Sequence, residues 1–203
     1  MVDKDLDERS VVYSFGVGTD ISFDLALIDK FGSTIHAFDP TPKSIEWIKQ
    51  QSLPKTFVLH EYGLAASDGI MTFYPPENPD HVSHTAIARD TAARKTAARE
   101  TAGPDAIQVQ MKQLSTIMNE LGHKDIALLK MDIEGSEYEV IRSLVSSPIR
   151  PKQLLVEFHH RFPEIGTRKT LLAIQQLRQI GYRLFSVSDS GEEFGFEYHP
   201  DET

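Results

Sequence analysis

Short apolar runs alternate with longer amphipathic stretches along almost the whole chain, and that rhythm limits the folds open to it. Residues 11–15, 34–38, 56–60, 126–131 and 153–158 are apolar-rich runs of strand length. Between them lie stretches with apolar residues at helical spacing. These are residues 21–31 closed by Gly32, a segment opened by Thr41-Pro42, residues 114–121, residues 136–145, and residues 168–180 stopped by Gly181. Thr41-Pro42 and the capping-box pattern Ser136-x-x-Glu139 supply helix starts. Such alternation predicts an α/β fold with a mostly parallel sheet, right-handed crossovers and helices on both faces. Residues 107–111 add a strand, and residues 70–74 an extra one fed by the Asp68-Gly69 turn. Residues 182–187 and 193–198 read as a closing hairpin around Asp189-Ser190-Gly191, which adds one antiparallel strand.

At 203 residues the chain fits one well-buried domain, residues 1–203, with residues 1–10 as a charged tail. The rhythm breaks at residues 75–105, which open with Pro75-Pro76-Glu77-Asn78-Pro79 and continue into an alanine-, threonine- and arginine-rich stretch. This segment is read as a lid or insertion. Its Arg89, Arg94, Lys95 and Arg99, partly offset by Asp90 and Glu100, form either a solvated helix face or an acceptor-binding surface. Ser83, His84 and Arg89 are the candidate acceptor contacts on the second reading.

A formal net charge of -9 argues against a general nucleic-acid binder, which needs basic surface to displace counterions. With 0 cysteines, disulfides, thiolate metal sites and cysteine nucleophiles are excluded, in keeping with a reducing cytoplasm. The acidic start holds no apolar run of a signal peptide, and no segment approaches the ~20 apolar residues of a membrane span. The expectation is a cytoplasmic protein without stable membrane insertion; no feature fixes an oligomeric state.

The first strand runs into Gly16-x-Gly18, and Asp39 ends the next. Glycines let a cofactor approach the backbone where the strand order reverses, and a carboxylate at the tip of strand two can accept hydrogen bonds from both ribose hydroxyls. The pattern alone fits several nucleotides or an ordinary tight turn. The third glycine of the dinucleotide fingerprint is missing, since Thr19, Asp20 and Ile21 follow Gly18. That absence favours a cofactor without a pyrophosphate, S-adenosylmethionine, over a nicotinamide cofactor.

The stretch Leu129-Lys130-Met131-Asp132-Ile133-Glu134-Gly135-Ser136-Glu137 resembles the hallmark of the FkbM-type methyltransferases, a lysine-containing strand ending in an Asp-x-Glu-Gly-x-Glu turn. Further landmarks fall in the family's order: Phe38-Asp39-Pro40-Thr41-Pro42, Gly63-Leu64-Ala65-Ala66-Ser67-Asp68-Gly69, and Leu155-Val156-Glu157-Phe158-His159. The chain departs from the pattern at Ser14, where the family often has an acid, at Asp20, where it often has a third glycine, and at Asp39, frequently glutamate. The resemblance implies a class I methyltransferase, a Rossmann-like fold with strand order 3-2-1-4-5-7-6. It implies S-adenosylmethionine as donor and methylation of an oxygen on a sugar, polyketide or other small molecule. The cofactor contacts it implies are Phe15, Gly16, Gly18 and Asp20, then Asp39, Pro40, Leu64 and Ala65, and finally Asp132.

Strand ends at the carboxyl edge face the crevice of such a sheet, which makes Asp132, Glu134, Glu157 and His159 the catalytic candidates. Alternation along a strand predicts that Glu157 and His159 share a face, as do Asp132 and Glu134 if the extended chain continues. His159 is the candidate general base, a neutral imidazole oriented by Glu157 or Glu134. The alternative is a divalent cation, Mg²⁺ or another, on Asp132, Glu134 and Glu157 or His159. Against these stand plainer readings: Glu134 and Glu137 favouring the positive N-terminus of the next helix with Ser136 as its cap, His160 facing solvent, and His36 a satisfied core histidine. The rival functions are a nicotinamide-dependent oxidoreductase and a non-catalytic cofactor-binding module.

Overall fold

The computed structural model describes residues 6–73, 106–163 and 165–200. Parallel strands β1 (Val11–Phe15), β2 (Thr34–Phe38) and β3 (Phe57–His60) are joined by helices α1 (Ser22–Phe31) and α2 (Pro42–Lys49). Three short strands follow, β4 (Gly63–Leu64), β5 (Gly69–Phe73) and β6 (Ile107–Lys112). Helix α3 (Leu114–Leu121), strand β7 (Leu128–Met131), helix α4 (Glu137–Val145), strand β8 (Gln153–Glu157) and helix α5 (Gly166–Gln179) resume the alternation. The hairpin β9 (Tyr182–Val187) and β10 (Glu193–Tyr198) closes it.

The main sheet has 7 strands in the order β3-β2-β1-β7-β8-β10-β9. Counted within this sheet alone, the strands run 3-2-1-4-5-7-6, as the resemblance implies. The labels diverge only because β4, β6 and β5 form a second, 3-stranded sheet. All neighbours in the main sheet are parallel except β10, which inserts antiparallel between β8 and β9.

Alternate strand residues feed two cores, which is why the strands read as continuous apolar runs. Tyr13, Phe15, Leu129, Met131, Leu154 and Val156 pack with α3, α4 and α5 on one face. Val12, Ile35, Ala37 and Leu128 pack with α1 and α2 on the other, where Trp47 lies against the core from α2. Burying such side chains on both faces removes from water the apolar area that holds the layers together, worth ~1.5–3 kcal/mol for each large residue. Ala65, Phe73, Val109 and Met111 make a separate small core for the second sheet.

Two helix starts differ from expectation. Ser136 makes no side-chain cap to α4; the side chain active at this turn is Glu137, which accepts the N–H groups of Ile133 and Gly135 before the helix. Thr41 likewise does not cap α2; its hydroxyl lies 2.5 Å from Asp39 Oδ1. Residues 74–105, with the whole of the anticipated lid and with Ser83, His84 and Arg89, lie outside the described residues. Among the described residues, no helix is long and apolar enough to cross a membrane.

Candidate active site

The strand order reverses between β1 and β7, and there the chain after β1 turns through Gly16 (φ 75°) and Gly18 (φ 57°). The two turns differ in kind. A Cβ on Gly16 would stand 1.6 Å from the Asp132 carbonyl oxygen, so this loop and the end of β7 touch backbone to backbone. A Cβ on Gly18 would meet nothing within 4 Å. The Gly18 N–H donates to Asp39 Oδ2 at 2.9 Å, which ties the glycine turn to the end of β2. Oδ1 of the same carboxylate accepts the Thr41 N–H at 2.8 Å and faces the Thr41 hydroxyl. Two contacts fill Oδ1, and Oδ2 has one lone pair left. The buried Asp39 therefore has room for one further donor, not for a pair of ribose hydroxyls shared between its oxygens.

A cavity of about 460 Å³ opens at this point. Gly16, Gly18, Asp20, Asp39, Pro40 and Leu64 line it, together with Asp132 and Glu134. Phe73 and Met111 from the second sheet form another wall. Two anticipated contacts do not line it. The Phe15 ring is fully buried and stacked on Phe38 with centroids 4.3 Å apart, and Ala65 is turned into the small core. Asp20 also serves the chain locally, accepting the Ser22 N–H at 2.9 Å where α1 begins.

A second, mostly apolar cavity of about 350 Å³ lies alongside, lined by Leu155, Val156, Val187, Phe194 and Glu157 among others. Phe23, Lys130 and Asp132 line both cavities. Lys130 was not singled out from the sequence as a site residue, although its place in the motif marked the strand. Alternation along β7 puts it on the face of α1, where the fully buried Asp24 has an oxygen without a hydrogen-bond partner. Burial holds the Asp24 carboxyl above the usual carboxylate range, with Ser14 and the Lys130 charge opposing.

At the ends of β7 and β8 the backbone departs from the alternation expected of it. Strand β7 stops at Met131, and Glu134 takes φ 53°, the one non-glycine residue with positive φ among the described residues. Gly135 follows at φ 100°, so the chain curls into a tight turn. Glu137 reaches back into this turn and its Oε1 accepts the N–H of Ile133 at 3.0 Å and of Gly135 at 3.2 Å. The same oxygen lies 3.0 Å from His159 Nδ1. Glu137 is thus the carboxylate that orients His159, in place of Glu157 or Glu134, and it is fully buried. The second glutamate of the Asp-x-Glu-Gly-x-Glu motif was the available signal, outweighed by its position in the first turn of α4.

Strand β8 ends at Glu157, and His159 lies in the irregular chain beyond it. His159 Nε2 faces Asp132 Oδ1 at 3.7 Å and Glu134 Oε2 at 3.6 Å. One ligand atom each from Asp132, Glu134 and His159 lies within 4.8 Å of the others; Glu157 is not part of this group and stands in the second cavity. Burial by itself would lower the His159 pKa, but the Glu137 hydrogen bond and charge, with Glu134 and Asp132, outweigh it and hold it at about 9. The ring is therefore cationic at neutral pH, not the neutral imidazole expected of a general base. Burial and the neighbouring Glu157 push Asp132 up to about 7, against the pull of Lys130 and His159. Burial also raises Glu157. His160 is half-buried, with its Nδ1 enclosed and lacking a hydrogen-bond partner, so it is not a free solvent-facing side chain.

A Methyltransferase FkbM domain model matches residues 11–184, most of the chain and both halves of the site. This protein belongs to the FkbM methyltransferase family. Among curated relatives it is 26% identical over 214 residues to the 31-O-demethyl-FK506 methyltransferase FkbM of Streptomyces tacrolimicus, covering 88% of this chain and 82% of that one. It is 25% identical over 185 residues to human probable methyltransferase-like protein 24, covering 86% of this chain and 41% of the human protein. A crystal structure of a methyltransferase FkbM from Methylobacillus flagellatus KT shares the fold, with a TM-score of 0.55 at 12% identity over 95% of this chain and 44% of that one. The chain thus spans less than half the length of the human relative and of that solved structure. For this FkbM-family methyltransferase, the family implies S-adenosylmethionine, and the 460 Å³ cavity falls within the ~300–1,000 Å³ of small-molecule sites. The donor set fits as well: a buried carboxylate with one open acceptor position, beside a glycine turn that gives access to backbone.

Proposed function

We propose that this protein transfers a methyl group from S-adenosylmethionine to a hydroxyl oxygen of a small molecule. The observation that carries the reading is the pair of adjoining cavities that share Lys130 and Asp132 at the carboxyl edge of the sheet. Displacement at a methyl carbon needs donor and acceptor in line, and two adjoining chambers with one polar junction provide that placement. The bound cofactor supplies an electrophilic methyl group on a sulfonium centre. Gly16 and Gly18 give backbone access, and Asp39 Oδ2 has its free lone pair for a ribose hydroxyl. The acceptor's apolar body packs against Leu155, Val187 and Phe194, with its hydroxyl toward Asp132. Glu157, on the wall of that second cavity, accepts the hydroxyl proton, because His159 already carries one. Residues 83, 84 and 89 remain candidates for acceptor contact. An apolar acceptor cavity favours a polyketide-like molecule over a bare sugar, and the protein is expected to work in the cytoplasm without nucleic-acid partners.

The test is incubation of the purified protein with methyl-labelled S-adenosylmethionine and small-molecule extracts, followed by product analysis. Label in an alkali-stable methyl ether of a small molecule, lost in Glu157→Gln, is the expected result. Label only on nitrogen, carbon, protein or RNA would exclude O-methylation of a small molecule.

A further inference from the structure

We infer that Asp132, Glu134 and His159 form a binding site for one divalent cation of the Mg²⁺ or Mn²⁺ class, with Glu137 holding the histidine. The three ligand atoms come from two different strand ends, and they converge within 4.8 Å of one another. Separations of 3.6 and 3.7 Å from His159 Nε2 to the two carboxylates are too long for hydrogen bonds. They suit ligands around one ion with bonds of about 2.0–2.4 Å.

Proximity of acids alone would not make a site. The independent observation is His159 itself: only 9% exposed, it points Nε2 between the carboxylates, where it makes no hydrogen bond. Its other nitrogen is fixed by Glu137, 3.0 Å away and fully buried. A carboxylate that orients the far nitrogen of a metal-binding histidine sets ring direction and tautomer, and removing such a partner commonly weakens metal affinity ~10–100-fold. Charge points the same way. Asp132, Glu134, Glu137 and Glu157 outnumber the Lys130 charge beside them, and a cation bound at His159 Nε2 would displace the proton that this nitrogen otherwise carries, while Nδ1 keeps its proton toward Glu137. Two carboxylates and one imidazole, with 0 cysteines in the chain, favour a hard or borderline cation over a thiolate-seeking one.

The site borders the polar junction of the two cavities, since Asp132 lines both and Glu134 lines the first. A cation there would bind the acceptor oxygen and ease loss of its proton to Glu157; this role rests on the methyltransferase reading, whereas binding itself rests on the ligands alone.

The experiment is titration of the chelator-treated protein with Mn²⁺, read by the electron paramagnetic resonance signal of the free ion, with Mg²⁺ as competitor. One bound equivalent is expected, weakened at least tenfold in Glu134→Gln and in His159→Ala, and unchanged in Glu139→Gln, an exposed acid of the same region. Glu137→Gln should weaken it ~10–100-fold with His159 still in place. If that buried change prevents folding, the Glu134 and His159 variants still decide. No binding, or several weak equivalents that these variants leave unaltered, would overturn the site. Binding of S-adenosylhomocysteine by the chelator-treated protein, measured in parallel, separates failure of the cation site from failure of the methyltransferase reading.

Discussion

At Gly16 the chain has no room for a side chain, and at Gly18 it has room but the wrong backbone angle. The first faces the Asp132 carbonyl at 1.6 Å from where a Cβ would sit, and backbone cannot swing aside as a side chain can. Gly16→Ala is expected to destabilise the fold by about 3–5 kcal/mol and to disturb the end of β7. Gly18→Ala, strained only by its φ, should cost about 1–2 kcal/mol. Denaturant unfolding of the two variants measures both, and equal losses would contradict the backbone contact. Both glycines were legible in the sequence, but the difference between them was not, because it depends on a strand far away in the chain. The same holds for Glu137. Its spacing within the motif was visible, yet its role appears only when β7 and β8 lie side by side and bring His159 over the turn.

Among the elements, strands and helices with strong periodicity fell where the apolar pattern put them, several with the same ends, whereas the chain just beyond β7 and β8 did not follow the alternation rule. The shared face of Asp132 and Glu134 assumed extended chain past β7; that strand ends at Met131, as the apolar run put it, β8 ends one residue sooner than expected, and the left-handed Glu134 redirects the chain after it. Beside Tyr13, β2, β3 and the loop after α3 bring three histidines together. His36 Nδ1 lies 3.0 Å from His60 Nε2, and the His36 and His123 rings are 4.6 Å apart. Burial, with His123 and His60 beside it, lowers His36 to about 4 from an ordinary 6.5. The unfolded chain then binds more protons than the folded one between those values, so stability falls as pH drops through that window. Thermal unfolding from pH 7 to pH 4 should show the decline, and His36→Phe should make it shallower. An identical pH profile in that variant would remove the histidine cluster as the cause.

For the whole molecule, alternation of strands and helices was enough to anticipate a doubly covered parallel sheet, because buried parallel strands have few other solutions. The position of the second sheet was not legible, since β4 is only 2 residues long and owes its existence to pairing with β6. That sheet matters to the site: Phe73 and Met111 wall the first cavity. The second cavity was equally hidden, as its lining comes from β7, β8 and the hairpin, and no single stretch of sequence carries it. The central claim is that the crevice at the β1–β7 reversal holds S-adenosylmethionine. Calorimetric titration with S-adenosylhomocysteine and with NAD tests it most directly. One equivalent of S-adenosylhomocysteine, weakened at least tenfold in Asp39→Asn, and no heat from NAD is the expected result; binding of NAD, or no binding of S-adenosylhomocysteine, would contradict it.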